Sequence, residues 1–444
     1  MKVLNIRFGH ATNSSSVHSI IFNSDESDKD SDGRYGRERF VLSSKEAKSR
    51  YLAVLLREML NELPANIGKL IIREWVGFIP HGEDYIDHQS IYRLPVDFTN
   101  HSIPDDIFWN DFKDYFLRDD VTIIGGNDND EIETEGKVLN IIQDDSTKYI
   151  ARKSGDWWTF FFPHSGHKVR FSFDDNAKST RPYAPELVDI KITNQCNYGC
   201  EFCYQDSKPD GIHANSYHIS KIAEMLGELK VFEIALGGGE PTLHPNLEYV
   251  VDTFNKYGIT INLSTKNIYF LESKLAEKFG LIGVSVNDGK MVDKAFSIAE
   301  KNNIDISFHV PMGTISRSKF FSIYHLCERY NIPLTLLGFK EAGRGKEFKI
   351  TNYDWLINDI REFREDNRIV RVGFDTLLIN QFKDQLTDVD NRLYSDEGEF
   401  SCYIDAVDMK VGISSYAGEL YNFDGKDEFI DRWCEKTKAY QAKG

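Results

Sequence analysis

From about residue 186 the chain alternates short apolar runs with stretches whose apolar residues recur at helical spacing. Runs at 187–193, 231–236, 260–264, 281–286, 306–310 and 334–339 have the length and β-type composition of buried strands. Between them lie amphipathic stretches. In the first, Ile219, Ile222, Ala223, Leu226 and Leu229 share one helical face. Further helices are predicted over 247–256, stopped by Gly258 as a C-terminal cap, and over 271–279, 294–301 and 319–330. A last one is predicted over 353–364, opened by a capping-box-like Thr351-x-x-Asp354 and followed by a strand-like run at 369–374. This alternation predicts an α/β fold, with six strand–helix units forming an open, partial (β/α)6 TIM-like barrel over 186–392.

Residues 1–180 break the alternation and read as a separate N-terminal α+β domain, with 174–185 as linker. One helix is predicted there, capped by Ser43-x-x-Glu46, with Leu52, Leu55, Leu56, Met59 and Leu60 on its apolar face. Strands are predicted at 3–8, 20–22, 69–73, 121–124, 157–162 and 168–173. Two polar segments interrupt them. The acidic run at 23–38 contains Asp28-x-Asp30-x-Asp32-Gly33, which opens like an EF-hand loop. Arg39 stands where the closing glutamate belongs, so a solvated loop is expected instead. The string from Gly9 to Ser19, with His10, His18 and a serine run, reads as a turn between strands. Residues 393–444 form a short C-terminal extension.

The chemistry concentrates where the first barrel strand ends. Cys196, Cys200 and Cys203 form a Cys-x3-Cys-x2-Cys run directly after it. The C-terminal end of a barrel strand is where such folds place active-site residues. Three thiolates on one loop can wrap a metal centre and leave one position free, because an iron–sulfur cube takes four protein ligands, one per iron. Other readings of the same residues are a zinc site completed by His213 and a redox pair formed by Cys200 and Cys203. Zinc sites more often use paired knuckles, and the redox pair leaves Cys196 unexplained. A glycine turn, Gly237-Gly238-Gly239-Glu240-Pro241, follows the second strand. Its backbone can approach a ligand closely because glycine has no Cβ.

Together these motifs resemble the radical S-adenosylmethionine (SAM) superfamily. Its cysteine motif, with an aromatic residue before the last cysteine, is met by Cys196, Cys200, Phe202 and Cys203, and its Gly-Gly-Glu turn by Gly238, Gly239 and Glu240. The resemblance implies one three-cysteine [4Fe-4S] cluster. Its open iron takes the amino and carboxylate groups of SAM. One electron then splits the sulfonium to a 5′-deoxyadenosyl radical that abstracts hydrogen from substrate. It further implies a reducing partner such as flavodoxin or ferredoxin. Cofactor-binding candidates, beyond the glycine turn and Phe202, are Tyr204, Ser264, Thr265 and Ser285, with Arg344 placed to pair with the SAM carboxylate. Ordinary backbone bonding is the alternative for the hydroxyls, and a solvated loop for the arginine. His309 is expected in the core.

Of the remaining cysteines, Cys327 reads as a buried helical residue, and Cys434 stands alone. Cys402 opens a stretch that resembles the SPASM extension of peptide-modifying members. Ser414 and Ser415 stand where a second cysteine usually follows, so no auxiliary cluster is expected.

Composition narrows the substrate. The net charge of −17 argues against a nucleic-acid partner, whose phosphates call for excess Lys and Arg. No apolar run reaches the roughly 18 residues of a membrane span, and the N-terminus lacks a signal-peptide core, so a cytoplasmic location is expected. The leading expectation is a radical SAM enzyme acting on a peptide or protein. Alternatives are action on a nucleotide, tRNA or small metabolite, and a metal-binding structural protein without catalysis.

Overall fold

The computed structural model describes residues 2–7, 19–22, 28, 34–35, 40–59, 84–86, most of 111–125, most of 150–178, 181–365, 371–386, 395–416 and 419–441. The chain divides into two compact units, Met1–Ser179 and Thr180–Gly444. No helix among the described residues is long and apolar enough to cross a membrane.

The first unit contains strands β1 (Lys2–Arg7), β2 (Ser19–Phe22), β3 (Arg34–Tyr35), β4 (Phe40–Leu42), β5 (Tyr85–Ile86), β6 (Val121–Gly125), β7 (Ile150–Ser154), β8 (Trp157–Phe162) and β9 (His167–Ser172). It also contains helix α1 (Lys45–Met59). An antiparallel sheet runs β1-β9-β8-β7, and β6 pairs on either side with β2 and β4. Every residue of Trp157–Phe162 is buried. Leu52 and Leu56 of α1 are also buried, and Tyr51 packs edge-on against Tyr35 at 4.8 Å. The cap differs by one residue from the sequence expectation: Ala47 donates to Ser44 Oγ at 3.1 Å. Ser43 instead bonds to Asp28, whose carboxylate also accepts from the Ser44 amide at 2.8 Å. That carboxylate thus tethers the start of α1. The strand expected at 69–73 and the Gly9–His18 string lie outside the described residues.

The second unit is built on one ten-stranded sheet, ordered β16-β15-β14-β13-β12-β11-β10-β17-β18-β19. Its strands are β10 (Leu187–Thr193), β11 (Glu233–Gly238), β12 (Thr260–Thr265), β13 (Leu281–Ser285), β14 (Ile306–Pro311), β15 (Leu334–Leu337), β16 (Val372–Phe374), β17 (Ser401–Asp405), β18 (Lys410–Gly412) and β19 (Tyr421–Asn422). Strands β10 to β16 and β17 are parallel, and β18 and β19 add an antiparallel hairpin. Among the described residues the order is open, with β16 at one end and β19 at the other, and no pairing closes the sheet. Helices α2 (Ser216–Glu228), α3 (Leu247–Asn255), α4 (Gly289–Asn302), α5 (Arg317–Tyr330), α6 (Leu356–Glu365), α7 (Thr376–Gln381) and α8 (Lys426–Gln441) complete the unit.

Two expectations are corrected. The helix predicted over 271–279 is a pair of 3-10 turns, Ile268–Glu272 and Lys274–Lys278. Ser273 is extended between them, and its hydroxyl accepts from Leu275 N at 3.2 Å, which stops one turn and starts the next. Thr351 does not cap α6. Asn352 makes the local turn instead, accepting from Asp354 N at 3.1 Å, and the helix begins at Leu356.

Side-chain alternation along the parallel strands sorts the sheet's two faces. Val188, Ile190, Ile192, Ile234, Leu236, Ile261, Leu263, Ile282, Val284, Ile306, Phe308, Val310, Leu334 and Leu336 are buried in one hydrophobic core. Each such side chain contributes about 1.5–3 kcal/mol by leaving water. The intervening positions, Asp189, Lys191, Asn262, Ser264, Ser285, Ser307, His309 and Thr335, lie on the opposite, polar face. The sheet therefore carries a polar lumen behind a greasy outer layer.

Candidate functional site

The cysteine loop leaves β10 and is pinned to the chain that follows it. Asn194 N donates to Ile212 O at 2.8 Å, Cys196 N to Lys208 O at 2.9 Å, and Lys208 N back to Asn194 O at 3.2 Å. Thr193 Oγ1 accepts from Gln195 N at 2.9 Å, and Gly199 turns the loop with φ +59°. The glycine turn packs directly beneath. Gly239 N donates to Thr193 O at 2.8 Å and Glu240 N to Gln195 O at 2.7 Å. A Cβ on Gly239 would lie 2.1 Å from Gln195 O, so only glycine fits there.

Glu240, buried at 3% exposure, organises this corner. Its Oε1 accepts from Thr242 N, Thr242 Oγ1 at 2.7 Å and Thr265 Oγ1 at 2.6 Å, and its Oε2 from Lys266 N at 3.0 Å. The carboxylate thereby ties the end of β12 to the glycine turn. The Thr265 hydroxyl donates to Glu240 and accepts from Asn267 N at 2.9 Å, so its one donor is already engaged. Ser264 and Ser285 lie half-buried on the lumen side. Phe202 packs edge-on against Phe348 at 5.6 Å.

Arg344 has partners other than those expected from sequence. Its Nε donates to Cys200 O at 3.1 Å, and its Nη1 to Asp206 Oδ1 at 2.7 Å and Ser207 O at 3.1 Å. The guanidinium therefore clasps the far side of the cysteine loop. Its Nε and Nη1 are thus engaged by the protein itself, and Nη2 has no protein partner among the described residues.

The three thiols are half-buried and free. Partial burial, the Glu240 carboxylate and the other two thiols push Cys196 up, against a hydrogen bond from the Tyr198 backbone. Among the described residues, no three His, Cys, Asp or Glu side chains converge closely enough to hold a single metal ion. His213 is also committed elsewhere: its Nδ1 bonds Thr193 Oγ1 at 2.8 Å, its ring abuts His244 at 5.2 Å, and burial lowers its pKa. A four-iron cube spreads its ligands, one thiolate to each iron, and three free thiols on a pinned loop fit that arrangement.

Inside the lumen, the Lys340 ammonium lies 4.5 Å from the ring of Tyr204 and 4.8 Å from that of Tyr416. Asp189, Asp375 and Glu397 surround it, and they and Tyr204 keep Lys340 charged against its burial. Neither Lys340 Nζ nor the Asp189 carboxylate has a hydrogen-bond or ion-pair partner among the described residues. Asp189 keeps exposed surface on the lumen face of the sheet although protein surrounds it. Burial raises Asp189 to about 6, against the pull of Lys340 and with a further push from Glu233. Burial likewise lifts Glu397, which accepts from Tyr416 Oη at 3.1 Å, to about 7. His309 lies across the sheet beside Gly283, where any Cβ would meet its ring at 2.1 Å. Burial and then the Lys340 charge hold it at about 4, so it is neutral. It is a lumen residue, not a core one. Tyr204 links the lumen to the cysteine loop, and its hydroxyl accepts from Gln205 Nε2 at 3.0 Å and Ser415 Oγ at 3.2 Å.

Sequence reasoning missed this lumen group. The charged Asp189 and Lys191 at alternate positions of a strand were its one local signal. Glu397 and Tyr416 come from the C-terminal extension and gave none. Cys327 and Cys402 are buried, the first pushed up to about 12 by its surroundings, and Cys434 lies on α8. None joins the loop.

The sequence model described as the Radical SAM superfamily matches residues 190–339. Among curated relatives, a probable GTP 3′,8-cyclase of Sulfolobus acidocaldarius is 34% identical over 93 residues, covering 20% of this chain and 30% of that protein. The mycofactocin maturase MftC of Mycobacterium ulcerans is 24% identical over 206 residues, covering 39% of this chain and 55% of that protein. This chain thus spans a third to about half the length of these relatives. Among solved structures, Streptococcus suis SuiB aligns at 12% identity with a TM-score of 0.48, over 64% of this chain and 88% of SuiB.

Proposed function

We propose, for a chain whose residues 190–339 are a radical SAM domain, that Cys196, Cys200 and Cys203 hold one [4Fe-4S] cluster and that the enzyme removes hydrogen from a peptide or protein. When bound, the cluster and SAM supply the electron and the carbon-centred radical that perform that abstraction. The chain's own residues position and shield. Arg344 and the Glu240 corner keep the cysteine loop and the glycine turn in register. Gly238 and Gly239 leave backbone exposed to the SAM amino group, while Ser264 and Ser285 offer hydroxyls toward the remainder of the cofactor.

The single observation that carries the reading is the seating of three free thiols against the Gly-Gly-Glu turn through two short backbone hydrogen bonds, Gly239 N to Thr193 O at 2.8 Å and Glu240 N to Gln195 O at 2.7 Å. On this reading the reacting group of the substrate enters the lumen beside Lys340, Asp189 and Glu397. Three observations favour a peptide. The likeness to a maturase extends over 206 residues, against 93 for the cyclase. The net charge is −17. Among the described residues, the four-stranded sheet of the first unit has β1 and β7 as edges, of the kind that accept an extended segment as a further strand. A nucleotide is the second reading, favoured by the GTP cyclase relative and by a Lys340 ammonium, suited to phosphate, that has no ion pair among the described residues. A one-electron donor of the flavodoxin or ferredoxin type is the proposed partner.

The test is anaerobic. Iron-reconstituted protein with SAM and dithionite is expected to release 5′-deoxyadenosine, and Cys196→Ala, Cys200→Ala and Cys203→Ala are expected to abolish it. Wild-type protein that binds no four-iron centre ends the proposal. Mass spectrometry of co-purifying molecules then decides the substrate class: peptides support the first reading, nucleotides the second.

A further inference from the structure

Lys266 follows β12 directly, and its amide is held by Glu240 Oε2 at 3.0 Å. From this anchored backbone the half-buried side chain reaches across to the cysteine loop. Its ammonium donates to Cys200 Sγ at 3.5 Å and lies 5.6 Å from the ring of Tyr198. Among the described residues, Lys266 makes the one side-chain hydrogen bond to any of the three loop sulfurs.

We infer that Lys266 tunes the reduction potential of the cluster by placing a fixed positive charge on the sulfur of Cys200. This rests on the cluster reading above. Reduction adds one electron, taken from an external one-electron donor, to iron–sulfur orbitals that extend onto the ligand sulfurs. No proton or covalent bond changes hands. A cation hydrogen-bonded to a ligand sulfur stabilises the extra negative charge more than the oxidised state, so it raises the potential; hydrogen bonds to sulfur are among the recognised determinants of cluster potential. The geometry also explains why Glu240 grips the backbone of Lys266. The carboxylate fixes the origin of the side chain, and the short reach to Cys200 follows. Lys266 acts through a ligand and touches no reacting atom, so it is a positioning residue.

The test is an anaerobic redox titration of the full-length, reconstituted protein without SAM, followed by electron paramagnetic resonance and normalised to measured iron and sulfide. Lys266→Met keeps the length and loses the charge. It is expected to make reduction about tenfold less favourable, which for one electron is a midpoint ~59 mV more negative. Lys266→Arg is expected to stay near wild type. Lys266→Gln keeps a donor without charge, is expected to fall between, and serves as the reporter if the Met variant does not retain its cluster. An unchanged midpoint in the Met or Gln variant overturns the inference, including the case where only SAM affinity changes. Wild-type protein without a cubane signal overturns the cluster reading itself and this inference with it, so the two failures are told apart.

Discussion

A guanidinium can hold a ligand's carboxylate or hold its own protein together, and the hydrogen bonds of Arg344 go to the second task. Cys200 O, Asp206 and Ser207 O occupy Nε and Nη1. Charge-assisted bonds of this kind contribute about 1.5–3 kcal/mol where they are sheltered, and less for the exposed Asp206 partner. Arg344→Ala is therefore expected to lower iron bound per chain and the unfolding temperature of the cluster-free protein. SAM affinity of the loaded fraction should change less than about twofold. Iron content that stays intact while SAM binding falls about tenfold, or 1.4 kcal/mol, would return Arg344 to the cofactor. The same competition governs Glu240. Replacing it with Ala leaves Thr242 Oγ1, Thr265 Oγ1 and two amides without their acceptor in a buried corner. The expected cost is about 2–4 kcal/mol, read as a reduced urea midpoint.

At the scale of elements, the contact between the glycine turn and the cysteine loop gives a sharp contrast within one tripeptide. A Cβ on Gly239 would sit 2.1 Å from Gln195 O, whereas a Cβ on Gly237 meets nothing within 4 Å. Gly239→Ala is expected to lift the turn off the loop and cut cluster content severely, and Gly237→Ala to leave it near wild type. Equal effects on iron stoichiometry would mean that the turn does not support the loop. Much of this frame is legible in the sequence because buried strands and helices leave strong periods: α2, α3, α5 and β10 to β15 fall close to where alternation predicts them. The two 3-10 turns after β12 were misread because 271–279 has helical apolar spacing, and only the extended Ser273 breaks it. Likewise, no local pattern announces that Ser401–Asp405 will pair parallel to β10, since that contact joins residues far apart in the chain. At the site, the cysteines and the Gly-Gly-Glu turn are written in consecutive residues. The roles of Thr265 and Arg344 depend on which distant acceptor claims their donors.

For the molecule as a whole, the lumen couples charge to stability. Glu397 has an ordinary value of 4.5 and is raised to about 7, chiefly by burial; Asp189 rises from 3.8 to about 6 for the same first reason. A carboxyl whose pKa is higher when folded binds its proton more tightly in the native state than in the unfolded chain. Between the two values the folded protein holds more protons, so stability falls as pH rises. The stabilisation from Glu397 is full below about pH 4.5 and lost as pH passes about 7; by the rule of 1.36 kcal/mol per unit it is on the order of 1–3 kcal/mol. Urea midpoints of the cluster-free protein are expected to drop between about pH 5 and pH 8, and Glu397→Gln to flatten that drop. Lys340 opposes both shifts, because its ammonium favours the ionised carboxylates. Lys340→Met should consequently push both values higher and extend the falling limb toward alkaline pH. A Glu397→Gln variant with the wild-type slope would mean that this carboxyl already ionises freely, and the lumen would then be a wet, well-screened channel rather than a desolvated pocket short of positive charge.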